Sequence, residues 1–197
     1  MILSNKILDL HNQKVKDWHN EMVLTETEQP WVFIEENIKW NFLLWHEEDI
    51  ARITDIDPLR IVEAKRNIDK FNQARNNAME KIDEWVLSFI ESNRIPLGAK
   101  IHSETPGMMI DRLAIMALKK YHMHEETERK DVDDAHIDRC RQKLNVLHEQ
   151  IQDLSQALSG VLDDIKESKL RFKVYRQFKM YNDPSLNPEL YKRNNKS

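Results

Sequence analysis

The longest regular pattern of apolar positions in the first half of the chain lies between residues 57 and 93. Successive positions are separated by alternating steps of three and four, which is the spacing of a long helix that faces a core. The apolar members of this stripe are Ile61, Ala64, Ile68, Phe71, Ala78, Ile82, Trp85 and Phe89. Arg75 falls on the same stripe, with Asn72, Asn76 and Glu80 one helical step away. The pattern predicts a core helix that carries a polar layer.

The same periodicity predicts four more helices. They cover residues 4 to about 21, 31 to 53, 106 to about 124, and about 131 to 168. Asp57-Pro58 and Thr105-Pro106 each combine a capping side chain with a proline at the first helical position, so a helix begins at both places. The last helix carries a heptad seam, which predicts either a second spine of the bundle or a dimer interface.

Composition favours helices over strands. The chain has 197 residues but only three glycines and six prolines, too few for the turns of a many-stranded sheet. We therefore predict an all-α, single-domain bundle of about five long helices, formed by residues 1–170. Residues 171–197 are predicted to form a basic aromatic tail, short-helical or irregular, whose end is disordered.

Charge and cysteine content narrow the function classes. A net charge of −4 argues against a protein that holds nucleic acid by its overall field. The basic and aromatic tail residues can contact phosphates and stack on bases, but the negative chain charge makes nucleic acid an unexpected partner. One cysteine excludes an internal disulfide, and no run approaches the roughly 20 apolar residues of a membrane span. We expect a cytoplasmic protein without a membrane span.

Polar side chains on three predicted helices define a candidate ligand site. Arginines bind phosphate or carboxylate groups through paired N–H donors, and neighbouring amides orient such a ligand. The candidate ligand-binding residues are His46, Arg52, Asn72, Arg75, Asn76, Asp111 and Arg112. The sequence thus predicts a small anionic ligand, which a phosphate group would suit, in a polar pocket between helices.

Carboxylates on two of these helices extend the hypothesis to a metal. Oxygen ligands from acids on neighbouring helices suit Mg²⁺ or Mn²⁺. The candidate metal ligands are Glu47, Glu48, Asp49, Glu80 and Asp83. A hydrolase or transferase would use Glu48, Glu80 and Asp83 as catalytic groups, but the sequence leaves open whether the protein is an enzyme and which cofactor it takes.

Two alternatives need no ligand. The polar layer around Arg75 can serve only to fix the register of the helices. The chain can also be a non-enzymatic interaction or assembly protein, in which the 131–168 helix and the basic tail dock a partner or form a homodimer.

Several segments together resemble one family. They are LWHEEDIAR, KRNIDKFNQARNNAMEKID, DRLAIMALKKYHMHEE, HIDRCRQKLNVLHEQ and YRQFKMYNDPSLNP. Over about Leu44 to Pro188 they resemble the bacterial family called domain of unknown function 4254. The resemblance implies a single-domain, cytoplasmic, bacterial helical protein, and it brings no activity with it.

Overall fold

The structure, a computed structural model, describes residues 4–90, 98–177, 180 and 183–194. In that part the chain forms six helices and a two-stranded sheet. The helices are α1 (Ser4–Trp18), α2 (Trp31–Ile50), α3 (Pro58–Ser88), α4 (Pro106–Thr127), α5 (Asp134–Lys166) and α6 (Pro188–Asn194). The strands are β1 (Lys100–Ile101) and β2 (Leu170–Arg171). The predicted all-α class with five long helices is confirmed.

Capping side chains fix where the helices begin. The Asp57 carboxylate accepts the backbone N–H of Leu59 at 2.9 Å ahead of Pro58, and Thr105 Oγ1 accepts that of Met108 at 3.2 Å ahead of Pro106. Each cap satisfies a backbone donor that a helix leaves unpaired at its first turn. Both predicted start signals therefore act as helix starts.

The end of α1 differs from the prediction. The helix stops at Trp18, three residues before Glu21. The Trp18 indole N–H donates to the Val23 carbonyl at 3.0 Å, and the Lys14 ammonium bonds Thr25 Oγ1 at 2.7 Å. These bonds hold the following segment back against the helix instead of letting it continue.

Helices α2 and α3 pack antiparallel. Glu47, near the end of α2, pairs with Arg60 at the start of α3 at 3.1 Å. Lys81, near the end of α3, pairs with Glu36 at the start of α2 at 2.7 Å. This register places the acidic end of α2 beside the first turns of α3.

Helix α4 is the centre of the bundle. It contacts each of α1, α2, α3 and α5. Its apolar side chains Ile110 and Leu113 enter one core cluster, and Ala114 and Leu118 enter a second. Polar residues on α4 consequently face several helices at once, and this position creates the candidate sites.

The segment after α5 returns to the bundle. β2 pairs in parallel with β1, with Leu170 opposite Lys100. Phe172 is buried in the core, and Arg176 bonds Glu80 at 2.7 Å and also contacts Glu84. The predicted tail residues Phe178 and Lys179, and the predicted disordered end at residues 195–197, lie outside the described residues. No helix among those described is long and apolar enough to cross a membrane.

Candidate functional site

The polar layer predicted around Arg75 centres on Asp111. The buried Asp111 Oδ1 accepts hydrogen bonds from Asn37 Nδ2 at 2.9 Å and Asn41 Nδ2 at 2.8 Å. Arg75 Nε lies 3.1 Å from the same oxygen, and the Arg75 side chain is 26% exposed. The layer thus joins α2, α3 and α4 through one carboxylate, which matches the arginine charge. Asn37 and Asn41 belong to it although the sequence did not single them out.

A small cleft lies on the open side of this layer. It encloses about 370 Å³, and Arg52, Asn72 and Arg75 are among the residues that line it. Glu48 and Asp49 line it as well, and Arg52 Nη1 pairs with Glu48 at 2.7 Å. Three of the predicted ligand-binding residues therefore meet, but the charge of each arginine is already paired within the protein.

The remaining predicted carboxylates on α3 do not reach this place. Glu80 and Asp83 lie 20 and 23 residues beyond Arg60, which pairs with Glu47. At 1.5 Å per helical residue that separation is about 30 Å along the axis. Because α2 and α3 are antiparallel, the structure does not bring Glu47, Glu48 and Asp49 into one metal site with Glu80 and Asp83.

Glu80 and Asn76 instead hold the returning C-terminal segment. Glu80 bonds Arg176 at 2.7 Å, and Asn76 Nδ2 donates to Gln177 Oε1 at 2.8 Å. Asn76 is buried by this contact. The two side chains attach residues 176–177 to the surface of α3.

Asp83 caps the start of α4. Its Oδ1 accepts the backbone N–H of Gly107 at 2.7 Å, and a Cβ at Gly107 would lie 2.5 Å from the Met79 carbonyl oxygen. Burial raises the pKa of Asp83 to about 6, and hydrogen bonds from Thr105 and Gly107 offset only part of the rise. The close approach needs glycine at 107, and Asp83 links α3 to α4.

The other predicted residues are held by surface or inter-helix pairs. Arg112, half-exposed, bonds Glu104 at 2.6 Å. Glu47 accepts Asn67 Nδ2 at 2.9 Å in addition to its pair with Arg60. These contacts support the helix packing, and neither Arg112 nor Glu47 lines the cleft beside Arg75.

A second and larger cleft opens between α2, α4 and α5. It encloses about 920 Å³, within the range of small-molecule sites. Its cationic lining residues are Lys119, Arg139 and Lys143, none of which forms an ion pair with any residue that the structure describes. Trp45 and Leu147 add apolar surface. The cleft combines unpaired positive charge with a ring on which a planar group can stack.

His46, a predicted ligand-binding residue, lies against two histidines that were not among the predicted site residues, with ring centroids 5.3 Å from His19 and 5.8 Å from His122. His19 follows α1, and His122, on α4, lines the cleft. One ring nitrogen from each of the three histidines lies within 4.8 Å of those of the other two. Burial lowers the pKa of His46, and the nearby His19 and His122 lower it further. The three rings form a cluster, called the histidine cluster below.

Comparison with known proteins places this helical bundle in a family. Residues 31–174 match the model of the family described as protein of unknown function (DUF4254). The match covers most of the chain, which therefore belongs to this family, as the resemblance indicated. Four of the five segments lie within the matched residues, and YRQFKMYNDPSLNP, residues 175–188, lies beyond them. No curated protein and no solved structure gives a significant match.

Proposed function

We propose that the protein binds a small anionic ligand in the cleft between α2, α4 and α5. The observation that carries the proposal is the charge of the lining. Lys119, Arg139 and Lys143 have no described anionic partner, whereas Asp49 is the one lining carboxylate without an ion pair to a described residue. Glu126 is paired with Arg129, but the partner of Glu125 is the His122 ring, and a neutral ring leaves the carboxylate charge in place. The three cations therefore exceed the remaining charges of Asp49 and Glu125 by one.

The larger cleft suits an anion better than the smaller one beside Arg75. In the smaller cleft, Arg75 is matched by Asp111 and Arg52 by Glu48. An anion there would have to compete with a carboxylate that the fold already supplies. In the larger cleft a phosphate or carboxylate would instead gain charge-assisted bonds without displacing a protein partner. The proposed site is therefore bordered by α2, α4 and α5, whereas the polar layer joins α2, α3 and α4.

The shape of the lining adds a preference for a planar group. Trp45 stacks on His122 with ring centroids 4.9 Å apart and an interplanar angle of 7°. This pair is a rigid, half-buried edge of the cleft. A ligand that joins a flat ring to a phosphate would use both the ring and the cations, so a mononucleotide such as AMP is a suitable probe.

Calorimetric titration tests the proposal. AMP, pyrophosphate and uncharged adenosine are titrated into the wild-type chain and into the double variant Arg139→Ala, Lys143→Ala. We expect the charged probes to bind the wild type and the double variant to lose at least about tenfold in affinity, because two charge-assisted bonds are removed. Weaker binding at higher salt is also expected.

Two control variants locate the site. Arg141→Ala removes an exposed cation of the same helix that pairs with Asp138 at 3.2 Å, so its affinity should equal that of the wild type. Arg52→Ala removes a cation of the smaller cleft and should likewise leave binding unchanged. Loss of binding in Arg52→Ala with full binding in the double variant would place the ligand in the smaller cleft. No binding of any charged probe would overturn the proposal.

A second copy of the chain is the other candidate occupant of this surface. The α5 seam is buried at Leu154 and Leu158, but Leu144, Leu147 and Ile151 are only half-buried. Val146, in the middle of that stretch, is 51% exposed. The observation favours the predicted assembly function, in which this part of α5 packs against a partner helix.

Charge along α5 favours an antiparallel copy as that partner. Arg139 and Lys143 precede Val146, whereas Glu149 and Asp153 follow it at similar distances. An antiparallel pair centred on Val146 would set the basic half of one helix against the acidic half of the other. Light scattering tests this: a dimer that becomes monomeric in Leu147→Glu supports it, and a monomeric wild type excludes it.

A further inference from the structure

The histidine cluster has the donors of a metal site. His19 Nδ1 lies 2.6 Å from the Val15 carbonyl oxygen, and His122 Nδ1 lies 2.8 Å from Glu125 Oε2. A carbonyl or carboxylate oxygen can only accept, so each Nδ1 must donate its hydrogen. In a neutral imidazole the other nitrogen, Nε2, then carries a lone pair. The local contacts thus fix the tautomer in both rings.

Those two Nε2 atoms are the unmatched groups of the cluster. Both are buried and have no hydrogen-bond partner in the described part of the chain. Buried polar atoms are nearly always satisfied, and an exception calls for an explanation such as a missing ion. Each of the three histidines brings one ring nitrogen within 4.8 Å of the other two. Two lone pairs without a partner in such a cluster are unfavourable for the protein alone, but suitable for a cation.

The geometry points to a site for a transition-metal ion, with Zn²⁺ the best-suited, held by His19, His46 and His122. Imidazole nitrogens suit Zn²⁺, Co²⁺ and Ni²⁺, whereas Mg²⁺ and Mn²⁺ prefer oxygen. Nitrogens bound to zinc at about 2.0–2.1 Å in a tetrahedron lie about 3.3 Å apart. The three nitrogens are within 4.8 Å of one another, so small side-chain rotations close the difference. This site does not depend on the anionic ligand proposed above.

Contacts around the histidine rings fix their orientation for metal binding. Metal-bound histidines usually donate their second N–H to a carbonyl or carboxylate, which is what Val15 and Glu125 accept here. His19 stacks on Tyr121 with centroids 4.1 Å apart, and His122 stacks on Trp45. Both rings are therefore oriented before an ion arrives. Glu125 is a positioning residue, since it acts through His122.

A neighbouring cluster contains suitable ligand residues, but its ligand atoms already take part in hydrogen bonds. Glu126, His136 and Cys140 also bring three donor atoms within 4.8 Å. However, His136 Nε2 already contacts Glu126 at 2.9 Å, and Arg129 binds the same Glu126 oxygen at 3.0 Å. An ion that binds this oxygen would have to displace the arginine. The comparison favours the histidine cluster and supplies a competing outcome for the test.

Titration with metal alone tests the site. The full chain, freed of metal by chelation, is titrated with Co²⁺ by visible absorption and with Zn²⁺ by calorimetry. We expect one equivalent to bind, with the cobalt bands of a low-coordinate site. His46→Ala and His19→Gln should abolish binding, and Glu125→Gln should weaken it about 10- to 100-fold. His148→Ala, on exposed α5 surface, should match the wild type.

The alternatives give different results. Binding that is lost in Cys140→Ser and kept in His19→Gln, with a sulfur-to-cobalt band in the near ultraviolet, would assign the ion to the neighbouring cluster and overturn the proposal. Absence of binding to the wild type would overturn it as well. Far-UV circular dichroism checks each variant. If a histidine variant loses helical structure, the variant Glu125→Gln, at a partly exposed residue, is used in its place. An unchanged affinity of Glu125→Gln for the metal would contradict the proposal.

Discussion

The Asp111 layer and the histidine cluster are both groups of polar side chains inside the bundle, yet they are satisfied in different ways. In the layer, one carboxylate oxygen accepts hydrogen bonds from two asparagines, and Arg75 Nε forms an ion pair with it at 3.1 Å without hydrogen-bond geometry. In the cluster, two buried ring nitrogens beside a third imidazole have no donor among the described residues. A buried charge with its counter-charge beside it fixes how helices pack, whereas neighbouring lone pairs without a donor suit a cation. The contrast separates a structural role from a binding role within one fold.

The largest expected effect comes from breaking the matched layer. Asp111→Ala leaves two buried amides and the Arg75 guanidinium without their shared acceptor. We expect the free energy of unfolding to fall by about 3–5 kcal/mol, as when one partner of a buried pair is removed. Urea unfolding measures it, and Asp138→Ala, at a carboxylate whose side chain is 66% exposed, should change stability by less than about 0.5 kcal/mol. A loss as small as this control would show that the layer is not closed.

Asp83 is a buried carboxylate whose hydrogen-bond donors, from Thr105 and Gly107, are neutral. It therefore tests whether neutral donors stabilise a buried negative charge as well as a cation does. Burial raises its pKa from 3.8 to about 6, so the folded state binds the proton more tightly than the unfolded state. Stability from this group is present below about pH 4 and is lost as the pH rises through about 6. The loss amounts to at most about 3 kcal/mol.

The variant Asp83→Asn removes the titration while keeping an oxygen for the Gly107 N–H. The free energy of unfolding of this variant, measured by urea at pH 4, 5, 6 and 7, should rise relative to that of the wild type across the series. Parallel curves for the two proteins would contradict the raised pKa.

The smallest effect is expected in the histidine cluster without metal. His122→Phe keeps a flat ring against Trp45 and removes both nitrogens, Nε2 without a described partner and Nδ1, which bonds the exposed Glu125. Stability without metal should therefore change by less than about 1.5 kcal/mol, as for other shape-conserving core changes. Thermal unfolding with and without Zn²⁺ should show metal stabilisation in the wild type and none in this variant. A large loss without metal would mean that the ring nitrogens are matched after all.

The positions of the helices could be predicted because the spacing of apolar residues and the capping side chains are features of the local sequence. The apolar stripe on α3 shows the limit of predicting burial from the spacing of apolar residues. Ala64, Ile68, Ala78 and Ile82 are buried as predicted, but Phe89 at its end is 69% exposed, and Val86 is buried instead. A strict seven-residue repeat drifts by about 20° per heptad around a straight helix, so the predicted face leaves the core after several turns.

The sites were harder to predict because their parts come from distant elements. Arg75 was found as a charge on an apolar stripe, but Asn37 and Asn41, which share Asp111 with it, are polar residues that any helix can carry. Glu80 was taken for a metal or catalytic group, and the structure places it against Arg176, 96 residues away. Such pairings depend on how the chain returns to the bundle, which periodicity does not contain.

The histidine cluster left only a faint trace in the sequence. His19 and His46 each follow a tryptophan, in the similar segments Trp18-His19-Asn20-Glu21 and Trp45-His46-Glu47-Glu48. The likeness of the two segments says nothing about how close they lie in the fold, and His122 shares no motif with them. The three come together because α1, α2 and α4 meet at one end of the bundle, so only the packing could reveal them.

The contrast between a closed layer and an open cluster is tested most directly by a long-range ¹H–¹⁵N spectrum of the side chains before and after one equivalent of Zn²⁺. We expect His19 and His122 to begin as Nδ1–H tautomers, and their Nε2 signals and one nitrogen signal of His46 to shift on addition of zinc. The Arg75 Nε–H signal should stay unchanged. Unmoved histidine signals, or a shift confined to His136, would contradict this expectation.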